Sequence, residues 1–173
     1  MSTTPSGARV SLAPEGSVNV ATGLPVLDHL VGELARSGRF KIALEVAPDS
    51  TDEAVASAGA ALGAALHDRF RSGSGWALMP SAEALASAAL DVDPQPRLVT
   101  NVDFSDIRVG GVSTDVASSF LAELARAAGI NLHVRVLEGD DPQHVLASIF
   151  KAVGAALGQA CRPAPTSTEE EPS

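Results

Sequence analysis

The chain has 173 residues, 45% of them apolar, which suits one domain of ordinary size or two small halves sharing a core. Its formal net charge of −9 argues against a nucleic-acid partner, because phosphates select a basic surface. A single cysteine, Cys161, excludes an internal disulfide framework and a Cys-rich zinc site, and 3% aromatic content leaves the core to Ala, Val, Leu and Ile.

Residues 1–7 are rich in Ser, Thr, Pro and Gly and read as disordered. They contain no apolar signal region, and no apolar run reaches the roughly 18 residues of a membrane span. The expectation is a soluble, cytoplasmic protein with no membrane contact. Arg9–Leu12 and Val18–Val20 suggest a hairpin around Pro14–Gly16. Leu27, Leu30, Val31 and Leu34 recur at helical spacing, so 26–37 is predicted to be an amphipathic helix. Phe40, Ile42, Leu44 and Val46 alternate with Lys41, Ala43 and Glu45, the period of a strand covered on one face. An Ala-rich helix follows over 52–67, ending at His67, which reads as exposed or capping. Arg71–Gly75 reads as a linker, with 71–76 separating two halves. Leu85–Val92 and Leu98–Phe104 are strand candidates, and Gly110–Gly111 suggests a turn. Ala117, Phe120, Leu121 and Leu124 place a helix over 114–128. Ile130, Leu132, Val134 and Val136 alternate as a strand. Pro142 after Asp140 and Asp141 is a good helix start, and the apolar pattern runs to Ala160. Residues 162–173, with Glu169, Glu170 and Glu171, read as a disordered acidic tail.

The two best strands belong to a repeat. A shift of 90 residues lays Glu33-Leu34-Ala35-Arg36 on Glu123-Leu124-Ala125-Arg126, and Phe40, Ile42, Leu44 and Val46 on Ile130, Leu132, Val134 and Val136. One further residue lays Gly63 and Leu66 on Gly154 and Leu157. Helix, strand, helix recurs twice. The expected fold is α+β, a duplicated half-domain over 8–70 and 77–161. Each half is a small, mostly antiparallel sheet with two helices on one face, and the helix layers pack together.

Metal or acid–base chemistry would draw on His29, His67, His133 and His144. A manganese-type ion prefers about six imidazole, carboxylate and water ligands. A His-His-x-x-Glu turn presents three such donors. At the start of the last helix the matching positions read Gln143-His144-Val145-Leu146-Ala147, and the repeat-equivalent ones read Asp52-Glu53-Ala54-Val55-Ala56. His29 has Ser119 as its repeat mate. No Gly-x-Ser-x-Gly, phosphate loop or dinucleotide fingerprint occurs.

Longer motifs carry a resemblance. Thr22-Gly23-Leu24-Pro25-Val26-Leu27-Asp28-His29-Leu30, Gly129-Ile130-Asn131-Leu132-His133-Val134-Arg135-Val136-Leu137-Glu138-Gly139, Phe150-Lys151-Ala152, and Pro80 with Glu83-Ala84-Leu85 follow in order through the chain. Together they resemble segments of the imidazoleglycerol-phosphate dehydratase family over about residues 10–161. That resemblance implies a duplicated sheet-and-helix fold, a manganese-dependent dehydration in histidine biosynthesis, and large symmetric shells with sites between subunits. Carried over residue by residue, it keeps His29 and His144 as metal ligands. It puts Asp52, Glu53 and Ala56 at the first His-His-x-x-Glu, Gln143 and Ala147 beside His144 at the second, and Ser118 and Ser119 at a Glu-His pair. The arginines that would contact substrate become Gln95 and Gly73, while Lys151 and Arg135 remain as vestigial substrate-binding positions. No catalytic residue is assigned.

The resemblance therefore implies a scaffold whose site has been emptied. The protein is expected to be an inactive relative that works by assembly, as a homo-oligomer or a mixed oligomer with an active paralogue, and no cofactor is expected. Two alternatives stand beside it. One is a divergent active hydro-lyase using manganese with Asp52 and Glu53 beside His29 and His144. The other is a sensor of small anionic ligands using Lys151 and Arg135.

Overall fold

A computed structural model describes residues 6–46, 51–102, 108–109, 112–113 and 115–164. The first half runs β1 (Gly7–Leu12), β2 (Ser17–Ala21), α1 (Pro25–Gly38), β3 (Phe40–Glu45) and α2 (Thr51–His67). The second runs β4 (Ser74–Ser81), β5 (Ala84–Val92), β6 (Arg97–Thr100), a short pair β7 (Arg108–Val109) and β8 (Val112–Ser113), α3 (Asp115–Ala128), β9 (Ile130–Glu138) and α4 (Pro142–Cys161). The sheets are ordered β1-β3-β2 and β4-β5-β9-β6. Each carries its two helices on one face, and α1 packs on α4 while α2 packs on α3. The helices thus form an inner double layer between two outer sheets.

The repeat holds to the residue. Pro25 and Asp115, 90 apart, open helices of 14 residues each, and Phe40 and Ile130, also 90 apart, open the central strands. The outer strands obey a different offset. Leu12 pairs with Phe40 as Val92 pairs with Ile130, and Ser17 pairs with Lys41 as Arg97 pairs with Asn131. So β1 and β2 correspond to β5 and β6 at a shift of 80. The second half carries ten more residues before its first helix, and β4 is an addition to its sheet.

Two expectations are corrected. β1 and β2 do not form a hairpin; both pair with β3, one antiparallel and one parallel, so β3 lies between them. The Pro14–Gly16 turn instead crosses the end of β3. Ala13 N donates to Arg39 O at 2.9 Å, and Gly16 sits so close to the Arg36 backbone that a Cβ has no room. With β3 burying Phe40, Ile42 and Leu44 against the helices, pairing on both its edges satisfies more backbone than an isolated hairpin. The sheets are accordingly mixed, each with one parallel pair. The second correction concerns the chain between the halves. Residues 74–76, read as linker, begin β4, and Gly7 already belongs to β1.

Other boundaries move little. β6 ends at Thr100, and Phe104, the expected strand end, lies outside the described residues, as do Gly110 and Gly111 between β7 and β8. The tail beyond Ala164 and residues 1–5 are likewise outside. α4 is long and apolar enough to cross a membrane by composition, yet 72% of its apolar window is buried inside the protein, the signature of a core helix. Phe120 of α3 and Phe150 of α4, both fully buried, meet with ring centroids 5.7 Å apart.

Glycines let the helix layers approach. A Cβ on Gly63 of α2 would meet Leu124 O of α3 at 2.5 Å, and one on Gly154 of α4 would come closer still to Leu34 O of α1. Gly63 and Gly154 are repeat mates, as are Leu34 and Leu124. Each half therefore presents a helix glycine to the other half's first helix.

Candidate functional site

The α1–α4 packing leaves a cleft between the N-terminal turns of both helices. α1 begins at Pro25, whose fixed φ suits the first helical position. The buried Thr22 steadies the entry: its N–H and hydroxyl both donate to Asp28 Oδ1, at 3.1 and 2.5 Å. One turn on, His29 lines a cavity of about 260 Å3 with Pro25, Val26, Leu30, Gln143 and Leu146. Its ring is 65% exposed and its Nε2 lies 3.7 Å from Glu33 Oε1, one helical turn away. The structure thus brings His29 beside Gln143, but every other side chain lining that cavity is apolar.

His144 follows Gln143 and faces elsewhere. Asp141 caps α4 by accepting Gln143 N at 2.9 Å. The ring of His144 then meets the β4–β5 turn, with Nδ1 2.6 Å from Glu83 Oε2 and 4.0 Å from Asp141 Oδ2. Glu83 Oε1 accepts the backbone N–H of Asp141 at 2.9 Å and of Asp140 at 3.4 Å. These bonds, that from Asp141 N first, with a smaller share from His144, hold the Glu83 carboxyl down to about 2. The carboxylate fixes the proton on Nδ1 and leaves Nε2 as the acceptor nitrogen. Glu83 was visible in the sequence only as part of the Pro80 to Leu85 motif, where nothing marked it as the partner of a histidine sixty residues on.

Asp52 and Glu53 occupy the repeat-equivalent place, exposed in the first turn of α2, where a helix N-terminus favours carboxylates. Ser119, the repeat mate of His29, is exposed on α3, the helix that α2 packs on. Among the described residues no three His, Cys, Asp or Glu side chains converge as a metal cluster. The family's two-manganese cage, with about six ligands per ion, does not fit what the described residues of one chain present.

The vestigial substrate positions also part company. Arg135 projects from the sheet face turned away from the helices, opposite Ser87. Lys151 comes off α4 and donates to Pro80 O at 3.1 Å, while its own carbonyl accepts from Ser37 Oγ at 2.6 Å. Near the other end of β4, Gln159 Oε1 accepts Trp76 N at 3.0 Å. Lys151 and Gln159 thus occupy polar backbone groups of an edge strand that would otherwise be open to pairing. His67 meets Ala128 O at 3.2 Å beside the end of α3, and His133 is exposed on β9.

The comparisons with known proteins agree with this architecture. The family model described as imidazoleglycerol-phosphate dehydratase matches residues 22–157. A protein of that name from Pelobacter propionicus is 35% identical over 155 residues, covering 85% of this chain and 80% of the relative. One from Methanosphaerula palustris is 34% identical over 88% of this chain and 82% of its own length. Crystal structures of imidazoleglycerol-phosphate dehydratase from Staphylococcus aureus and of the Pyrococcus furiosus protein superpose with TM-scores of 0.82 and 0.78. Each is 22% identical; they cover 92% and 95% of this chain and 95% and 94% of their own. With the family model spanning most of its folded residues and relatives above 30% identity along most of its length, the chain belongs to the imidazoleglycerol-phosphate dehydratase family.

Proposed function

We propose that this protein is a catalytically silent member of its family that acts through assembly, as a homo-oligomer or together with an active paralogue, in the cytoplasm and in the service of histidine biosynthesis. The observation that carries the reading is the donor set. Scaffold positions keep their pattern through two halves, while the metal-ligand positions hold Gln143, Ala147, Ala56 and Ser119. An alkyl group or a carboxamide in place of imidazole or carboxylate removes a ligand outright, and even lost supporting groups cost about 10–100-fold in metal affinity. His29 faces an apolar cavity, His144 is engaged by Glu83, and Lys151 is engaged by Pro80 O. That last bond also weighs against the anion-sensor reading.

The test combines calorimetric titration with manganese, an assay of imidazoleglycerol-phosphate dehydration, and light scattering. The expected result is no tight stoichiometric manganese binding, no turnover, and a particle much heavier than 17.6 kDa. Two tightly bound ions per chain with turnover would establish the rival reading, a divergent active dehydratase, which the 35% identity to the Pelobacter propionicus protein favours. A silent protein that stays monomeric and associates with no dehydratase from its own cell would remove the assembly role.

A further inference from the structure

The two halves share an architecture but not an outer surface. Side chains alternate across each strand, so the register of a sheet fixes which residues point away from the helices. On the first sheet those positions hold the charges of Arg9, Lys41 and Glu45 and no apolar side chain larger than the methyl groups of Ala21 and Ala43. On the second they hold Trp76 and Leu78 of β4, Leu85 of β5, Leu137 of β9 and Val99 of β6. Trp76 is 60% exposed and Leu78 and Val99 are 41% exposed each. Single exposed apolar residues are ordinary, but five on one face of one sheet form a patch.

The patch has a shape. One row across the sheet runs Trp76, Ala89, His133 and Val99, and the next runs Leu78, Ser87 and Arg135. Ala89 and Ser87 therefore floor a trough along β5, with Trp76 and Leu78 as one wall and His133 and Arg135 as the other. The strand without a counterpart in the first half, β4, supplies the apolar wall. Its free edge is engaged by Lys151 and Gln159, so a partner gains little by adding a strand there, and the face is what remains open.

Size and charge both suit a second copy. Four strands at about 4.8 Å spacing and about 3.3 Å per residue along the nine-residue β5 and β9 give a face of about 19 by 30 Å. Projecting side chains raise that area toward the roughly 800 Å2 per partner of a standard interface. The charges on the sheet balance, Arg97 and Arg135 against Asp91 and Glu138, so two chains of net charge −9 meet there with little repulsion. We infer that the outer face of the second sheet is where a second copy of the chain docks, closing over the trough and covering Trp76. This docking rests on the assembly role proposed above and gives it a surface.

The sole tryptophan lies in the patch, so light scattering and acrylamide quenching of Trp76 test it together. In the parent particle the indole is expected to be quenched several-fold less than free N-acetyltryptophanamide. L78E/V99E would bury two unpaired carboxylates in the contact; it is expected to lose most of that protection and to fall to a fraction of the parent's mass. Both replaced side chains are exposed, and an unchanged far-ultraviolet circular dichroism spectrum shows that the variant is folded. A parent heavier than 17.6 kDa whose Trp76 quenches nearly as freely as the free indole overturns the docking and leaves assembly to another face. A folded L78E/V99E that keeps the parent's mass and protection does the same. A parent that runs as a single chain overturns the docking and self-assembly together. Protection that appears only when an active dehydratase from the same cell is added makes the paralogue the occupant and overturns the second copy.

Discussion

Substituting Gly154 by alanine tests the central packing argument. In an isolated helix the change would help, because glycine is about 1 kcal/mol less favourable than alanine in a helix interior. Here the new Cβ would fall inside van der Waals distance of Leu34 O and Leu34 Cα, both backbone atoms of a helix that cannot swing aside locally. Overpacking of this kind costs typically about 1–3 kcal/mol, and rigid backbone on both sides puts the site near the upper end. Taking about 3 against a gain of about 1 leaves a net loss near 2 kcal/mol, or roughly 4–8 °C in melting midpoint for a chain of this size. Gly63→Ala, at the repeat-equivalent crossing, should lose a similar amount. Gly32→Ala is the control, since its Cβ would meet only the mobile end of the Arg36 side chain, at 3.3 Å. It should be neutral or stabilising. Urea denaturation and thermal melts of the three variants decide the matter. If G154A and G63A melt at or above the parent, or if G32A falls as far as they do, the glycine crossings do not set the spacing of the helix layers.

Further outcomes follow from the capping and turn interactions. Thr22→Val keeps the shape of the side chain but removes the hydroxyl donor to Asp28 Oδ1; leaving that carboxylate short of a partner should cost about 1–3 kcal/mol, read by denaturant titration. For Glu83 the folded carboxyl titrates at about 2 against an ordinary 4.5, so its bonds to Asp141 N and His144 stabilise the fold above the ordinary value and fade as pH falls through the lower one. The midpoint difference between the parent and Glu83→Gln should be constant near neutrality and shrink steadily as pH drops from 4.5 toward about 2. A difference that grows on acidification would contradict the assigned hydrogen bonds.

How much of this was legible in sequence depended on whether the signal was local. α1, α3, β3 and β9 announce themselves by periodicity, and an ungapped shift of 90 residues relates them because nothing is inserted inside those blocks. The same shift hides the kinship of β1 and β2 with β5 and β6, which are related at 80. The Pro14–Gly16 turn is a real turn, but local chemistry does not say whether the strands on either side pair with each other or with a third. β4 escaped because its pattern is inverted. Gly75 and Ala77 face α4, Gly75 lying against the Ala156 backbone, while Trp76 and Leu78 point outward. Where a strand's backbone comes this close to a helix, small residues must face inward, and that defeats a search for large apolar residues at alternate positions.

The site was less legible than the fold for a physical reason. Sequence spacing says which side chains share a helical turn, but not which neighbour each one reaches. Gln143 and His144 are consecutive on α4, so their side chains diverge by about 100° around its axis. One enters the α1 cleft and the other meets Glu83 on the β4–β5 turn of the sheet that α4 itself covers. Asp52 and Glu53 match them in sequence register and stand in the first turn of α2, a helix that packs on α3. Counting donors along the chain therefore does not say which of them meet. His29 lines a largely apolar cavity, His144 is held by Glu83, and Asp52 and Glu53 stand in the first turn of another helix; which of them could share an ion is a matter of geometry that spacing along the chain does not carry.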